Sequence, residues 1–250
     1  MSSVSTVTAT QAGPPPEGGD AGQPATAKGE QTRQRIVDAA TRLLEERGYA
    51  STTMRAVAEE AGVSLGNAYY YFSSKEHLVQ GFYDRLQTLH AQAAAEGMRG
   101  ASSLGQRFVA SELAFLDVAA RYQPFAGKLF SVAADPASPL SPLSQASAPA
   151  RQASTAIMRS VVAGSVVKAD ERLLRELPDL LWLAHMGVVL FWVHDRSPGQ
   201  RRTRRLVTRS APVLERLVTL SRWRALRPTV HEFLDLVSDL RAGGESADGG

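Results

Sequence analysis

A chain of 250 residues, 44% hydrophobic and 21% charged, holds enough apolar material for one small domain and one larger one, each with a core. It contains no cysteine, which excludes a disulfide framework, a thiolate metal site and a catalytic thiol. The formal net charge of +3 points to a polyanionic partner, yet the charge is unevenly placed: residues 30–90 carry seven Lys/Arg against eight Asp/Glu, and residues 195–227 carry ten Arg against two acids.

Residues 1–29 are mostly Ser, Thr, Ala, Pro and Gly with almost no large side chain, and Lys28 is their only cation. Such a segment cannot bury enough surface to order itself, so a disordered arm is expected. The start has neither a basic n-region nor an apolar h-region, so no secretory signal is expected and the cytoplasm is the expected location. Ile36, Val37, Ala39, Ala40, Leu43 and Leu44 then repeat at helical spacing until Gly48, with Tyr49 placed to cover the junction.

Thr53 to Phe72, TMRAVAEEAGVSLGNAYYYF, reads as helix, turn and second helix. Thr53 caps the first helix, and Met54, Val57, Ala58 and Ala61 form one apolar stripe. Gly62 stands where a left-handed backbone is needed, and Ser64 caps the second helix. In that helix Leu65, Gly66, Asn67, Tyr69 and Tyr70 are expected outward, with Ala68 and Phe72 pointing to the core. A small residue, an amide and phenols suit close approach to phosphates and base edges. Ser73 and Glu76 stand in capping-box register before a fourth helix whose stripe is Leu78, Phe82, Leu86 and Leu89.

From Glu30 to about His90 the chain resembles the N-terminal domain of the TetR family of bacterial transcription regulators. The resemblance rests on Ile36 with Ala39 and Ala40, Gly48-Tyr49, Thr53, Val57-Ala58, Ala61-Gly62-Val63-Ser64, Gly66, Tyr69, Phe72, and Ser74-Lys75-Glu76 with Leu78, all in the family's order. It covers about a quarter of the chain. It implies that Thr53 and Arg55 contact the DNA backbone and that Ser64, Leu65, Gly66 and Asn67 enter the major groove. By the same resemblance Tyr69, Tyr71 and Lys75 clamp phosphates, and Tyr70 touches backbone sugar or a thymine methyl. Leu65 departs from a position often polar in the family, and Tyr71 stands where histidine is common. The residues alone also allow plainer roles: packing for the tyrosines, solvation for Lys75, and an Arg55–Glu59 pair worth a few tenths of a kcal/mol.

Beyond residue 90 only helical patterns are read: Leu104–Arg121, Pro124–Ala133, Ala150–Val167, Pro178–Asp195, Gln200–Trp223 and Thr229–Arg241, with a Pro-rich loop at residues 135–149 and a frayed tail at 242–250. The expected fold is all-α, a three-helix DNA-binding domain (residues 30–90) followed by a larger bundle (91–241). The Pro178–Asp195 helix is apolar nearly all round and is expected to be buried on every side, with its apolar run too short for a membrane span. The Arg-rich run including Arg201, Arg202, Arg204, Arg205 and Arg209 is either a second polyanion patch or a solvated helix face paired to acids elsewhere.

The family resemblance implies dimerisation through the last two long helices, for which Ala184, Gly187, Val188, Phe191, Leu206, Val213, Leu214, Leu217 and Leu220 are the candidates. It also implies an effector pocket, for which Phe115, Tyr122, Phe125, Phe130, Trp182, His185, Met186 and Trp192 are candidate linings for a hydrophobic or amphipathic small molecule. His185 needs a partner on so apolar a helix, whether ligand, internal Ser or backbone carbonyl. The expected function is a homodimeric, ligand-responsive repressor on a palindromic double-stranded DNA operator. An activator, or a factor regulated by a protein partner without a small effector, is the alternative. An enzyme using His185 and His194-Asp195 is the remote one, since no nucleophile elbow, phosphate loop or metal-ligand spacing occurs. No cofactor and no metal are expected.

Overall fold

The computed structural model describes residues 27–223, 225, 228–232 and 234–236. The arm through residue 26, the end of the last helical pattern and the tail lie outside them. Every regular element among the described residues is a helix. Helix α1 spans Ala27–Ser51 and breaks its helical course at Gly48, φ 74° and ψ 173°. Its first residues, Ala27 to Gly29, are therefore helical rather than part of an arm. Helices α2 (Met54–Ala61), α3 (Leu65–Tyr71) and α4 (Lys75–Gly97) complete the N-terminal unit.

One core joins these four helices. Ile36, Val37, Ala39, Ala40 and Leu43 of α1 meet Met54, Val57, Ala58 and Ala61 of α2, Ala68 and Phe72 around α3, and Leu78 of α4. Phe72 is fully buried. Gly81 lets α4 pass over that ring: a Cβ there would lie 2.9 Å from Phe72 Cε1 and 3.2 Å from Val37 Cγ2. The α4 cap differs from expectation. Ser74, not Ser73, accepts from the His77 N–H, and Glu76 instead receives the Tyr49 hydroxyl at 2.7 Å. Leu89 also departs from the expected stripe and is exposed.

The body consists of α5 (Leu104–Ala119), a 3-10 turn at residues 120–122, α6 (Gln123–Ala133), α7 (Ala148–Ala163), α8 (Glu171–His194) and α9 (Arg201–Leu220). Helical residues follow at 228–232 and 234–236. Ser103 and Gln106 form a capping box at the start of α5. Arg107 ties the body together: its guanidinium donates to the carbonyls of Ala101, Ser160 and Val161 at 2.8–3.1 Å, satisfying the end of α7 and the α4–α5 turn.

Helix α8 begins seven residues before the expected start. Asp170 caps it through the N–H groups of Arg172 and Leu173, and Pro178 lies inside. A proline removes one internal hydrogen bond, and here burial of Leu173, Leu177, Pro178 and Leu181 outweighs that loss. By length and composition the 24-residue α8 is sufficient to cross a membrane, contrary to the shorter run read from the sequence. Nor is it buried all round. Its inner face packs within the body, while Leu183, Ala184, Gly187, Leu190 and Phe191 are exposed.

Candidate nucleic-acid interface and cavity

Each end of the α2–α3 unit is fixed by a side chain the sequence supplies. Thr53 Oγ1 accepts from the Ala56 N–H at 3.2 Å, and Ser64 Oγ accepts from the Asn67 N–H at 3.1 Å. Gly62 sits at φ 65°, ψ 38°, and its N–H and that of Val63 close the α2 end. This left-handed residue turns α3 across α2 without a Cβ penalty. Ala68 and Phe72 anchor one side of α3 in the core.

The opposite side of α3 is open. Thr53, Arg55, Ser64, Gly66, Asn67, Tyr69 and Tyr70 are all exposed, with Tyr69 at 48% and Tyr70 at 63%. Leu65 departs from the outward placement, and Tyr71 is likewise not fully exposed. Both are half-buried and pack against the domain core, because a 7-residue helix crossing α2 turns its edge positions inward. The Tyr71 ring also meets the Tyr70 ring edge-on at 5.1 Å. Lys75 is half-buried, donates to the Tyr49 carbonyl at 2.8 Å and lies 3.8 Å from the centre of the Tyr49 ring. That contact gives the cation the partner it needs at a helix N-terminus. Glu60 pairs with Arg42 at 3.0 Å, while Arg55 remains on the exposed side.

Behind this unit, α4 and α6 carry the wall of a cavity of about 160 Å³ in the body. Phe115, Tyr122, Phe125, Phe130, Trp182, His185, Met186 and Trp192, read singly from the sequence, all line it. They share it with Phe82, Tyr83, Leu86 and Gln87 of α4 and with Arg151 and Ser154 of α7. The link to the DNA-binding unit is direct. Phe82 and Val79 pack with Leu44 and Tyr49 of α1 and with Phe125 and Leu129 of α6, and Arg121 pairs with Glu45 at 3.1 Å.

His185 has a partner that the sequence reading did not name. Its Nδ1 lies 3.0 and 3.1 Å from the two carboxylate oxygens of Glu112, and both residues are buried. Glu112 sits on the apolar face of α5 with Phe108, Phe115 and Leu116, and a lone carboxylate on such a stripe was the available signal. His90 stacks on His185 at 5.6 Å, and its Nε2 faces the Ser111 carbonyl at 3.0 Å. His194, by contrast, is exposed and bonds through Nδ1 to the Leu190 carbonyl, so the two histidines of the enzyme reading are not brought together.

The predicted interface residues divide. Ala184, Gly187, Phe191, Leu206, Val213, Leu217 and Leu220 are exposed on α8 and α9. Val188 and Leu214 are not: Val188 is buried beside Phe115 and Trp192, and Leu214 packs on the central core. Their helical phase points into the subunit. Leu183, Leu190 and Trp223 extend the exposed apolar strip and were missed. Arg202, Arg205 and Arg209 border a groove with Phe191 and Leu206, whereas Arg204 pairs with Asp117 at 2.5 Å.

A helix-turn-helix unit with one open recognition helix, set on a helical body, defines a class of bacterial DNA-binding regulator. Residues 36–81 match the family described as bacterial regulatory proteins, tetR family, and residues 107–240 match the tetracyclin repressor-like C-terminal domain. The chain belongs to the TetR family. It is 42% identical over 65 residues to the HTH-type transcriptional regulator TtgR of Pseudomonas putida, covering 26% of this chain and 31% of that one. It is 36% identical over 76 residues to the HTH-type transcriptional repressor KstR2 of Rhodococcus jostii, covering 29% and 37%. These matches span about a third of the curated relatives' length. A crystal structure of a TetR-family transcriptional regulator from Streptomyces coelicolor shares the fold, with a TM-score of 0.55 at 21% identity over 85% of this chain and 97% of that one.

Proposed function

We propose that this protein is a cytoplasmic, sequence-specific transcription regulator that binds a palindromic operator as a homodimer and is released by a small apolar or amphipathic effector. The observation that carries the reading is the open face of α3, where Ser64, Gly66, Asn67, Tyr69 and Tyr70 stand clear of the core. Asn67 is the candidate base reader, with Leu65 offering apolar contact at the groove edge. Thr53, Arg55, Tyr69, Tyr71 and Lys75 are candidate phosphate contacts. Two copies related by a two-fold axis read half-sites about 34–36 Å apart, or a multiple of it.

The exposed strip of α8 and α9 supports the dimer. Apolar side chains on two long neighbouring helices form a four-helix interface when paired with a second copy. The cavity supports the effector. Its wall includes α4, which begins beside α3, and α6, which packs on α1. A ligand that prefers another placement of α4 changes the separation of the two recognition helices. Coupling of about 1–3 kcal/mol changes operator affinity about 5- to 150-fold. Repression is the sign favoured here; activation places the operator differently without changing the protein.

Selection of bound sequences from a random duplex pool tests the reading. An enriched palindrome is expected, and enrichment of nothing over scrambled competitor overturns it. The effector step is tested by operator binding with and without a ligand seated in the cavity. Unchanged affinity with the ligand bound overturns that step alone.

A further inference from the structure

On the reading of the cavity as an effector site, we infer that its ligand is a compact, uncharged aromatic molecule bearing a hydroxyl group, of the phenol class, with the hydroxyl hydrogen-bonded to His185 Nε2. Glu112 holds His185 at Nδ1, at 3.0 and 3.1 Å from its two oxygens. With Nδ1 taken by Glu112, Nε2 is the ring nitrogen left to a ligand, and His185 lines the cavity.

Three further polar atoms of lining residues are buried without a hydrogen-bond partner among the described residues: Trp192 Nε1, Ser154 Oγ and Gln87 Oε1. Trp192 and Ser154 are themselves nearly wholly buried. An unpaired buried polar group is costly, so a ligand that pairs one is favoured over an apolar molecule of the same shape. The wall thus offers both donors and acceptors. A hydroxyl is the smallest group that serves either kind.

Charge and size narrow the class further. Among the described residues no Asp or Glu lines the cavity, so a cation finds no counterion on its wall. Arg151, which lines the cavity, already donates through Nη1 to the carbonyls of Pro142 and Ser144 at 2.7 and 3.2 Å. A volume of about 160 Å³ resembles the roughly 150 Å³ apolar cavity that takes up benzene, so a single ring fits without rearrangement. Phe115, whose ring stands edge-on to His185 at 4.7 Å, offers an aromatic wall beside the imidazole.

The test titrates the full chain with phenol, anisole, toluene and benzoate, following tryptophan fluorescence and thermal shift in parallel. Phenol is expected to bind at least about fivefold more tightly than anisole or toluene, and benzoate most weakly. The double variant Glu112→Leu/His185→Leu removes the imidazole and its carboxyl partner together, and is expected to erase the phenol preference while toluene still binds. Should it not fold, Ser154→Ala with Gln87→Leu is expected to narrow the same preference. Toluene or anisole equal to phenol, benzoate the tightest, or no binding by any of the four overturns the inference. None of these outcomes touches the effector reading, which fails only if a ligand bound in the cavity leaves operator affinity unchanged.

Discussion

Lys75 Nζ lies 2.8 Å from the carbonyl oxygen of Tyr49, and the same tyrosine gives its hydroxyl proton to the next residue, Glu76, at 2.7 Å. Two successive residues at the start of α4 therefore hold the end of α1 through one tyrosine, Lys75 over its ring and Glu76 at its hydroxyl. Burial first, and then the bond and charge of Glu76, push the Tyr49 phenol well above its ordinary range. The bond from Tyr49 in turn holds the Glu76 carboxyl below its own. Tyr49→Phe keeps the ring beneath Lys75 and deletes only the hydroxyl. A loss of about 1 kcal/mol in denaturant unfolding is expected. An unchanged midpoint means that the junction is held by the ring and the Lys75 contact alone.

Lys75 and Asn67 separate two ways of contributing to DNA binding. Lys75→Ala removes a cation beside the proposed DNA-binding face. It is expected to weaken binding about equally on all sequences and to lower the salt slope by about one unit. Because Lys75 also braces Tyr49, its thermal midpoint should fall as well. Asn67 is exposed, so Asn67→Ala leaves the fold intact. It is expected to relax preference at one base position by about 1–3 kcal/mol. Binding to specific and scrambled duplexes across a salt series distinguishes them, and identical behaviour refutes the division.

Gly81 is a packing point rather than a bend. With Phe72 Cε1 2.9 Å from where a Cβ would stand, Gly81→Ala forces a fully buried ring or the α4 backbone to move. Overpacking of this kind costs about 1–3 kcal/mol. The thermal midpoint should drop. DNA affinity should drop with it, since Phe72 ends α3. A variant as stable as the parent shows that α4 slides freely over Phe72.

The helix-turn-helix was legible because its constraints are local. A cap at Thr53, a left-handed Gly62 and an apolar stripe on α2 each follow from a few neighbouring residues. The seven aromatic and histidine positions and Met186 around one cavity were named as candidate linings singly, from separate helices, without their contacts to one another. Their convergence depends on how α5, α6 and α8 pack, which periodicity does not encode. Glu112 beside His185 is such a long-range pairing, 73 residues apart. Pro178 misled for the opposite reason. A proline usually marks a helix start, yet Asp170 supplies a stronger cap upstream and the buried leucines carry the helix through. On α8 and α9 most of the exposed apolar residues were named, but Leu183, Leu190 and, just past α9, Trp223 were missed and Val188 and Leu214 were assigned outward, because periodicity fixes a stripe only to within a residue of its edge.

The exposed strip makes the dimer testable without disturbing either core. Phe191 and Leu217 are 40% and 62% exposed, so charged replacements cost little in the isolated subunit. Phe191→Glu with Leu217→Glu is expected to shift the protein to monomers in analytical ultracentrifugation and to abolish high-affinity operator binding. Helical content by circular dichroism should be unchanged. If the variant stays dimeric, the interface lies elsewhere.

His90 sets a pH limit on stability. It is wholly buried, and burial first, then the neighbouring His185, push its imidazole down to about 3, with the bond to the Ser111 carbonyl pulling slightly the other way. In the unfolded chain the ring titrates near its ordinary value of about 6.5. The folded state thus keeps His90 neutral where the unfolded state takes up a proton, and proton uptake by the unfolded state alone favours unfolding. The His90 contribution is complete above about pH 6.5 and declines as pH falls from there toward 3. Denaturant midpoints measured from pH 7.5 to 5 should therefore decrease below about pH 6.5. His90→Gln retains a side-chain donor for the Ser111 carbonyl but cannot titrate, so its curve should be flatter over that interval. Other groups, including the Glu112–His185 pair packed against His90, are common to both proteins, and the difference between the curves isolates His90. Parallel curves mean that His90 takes up its proton without unfolding the chain.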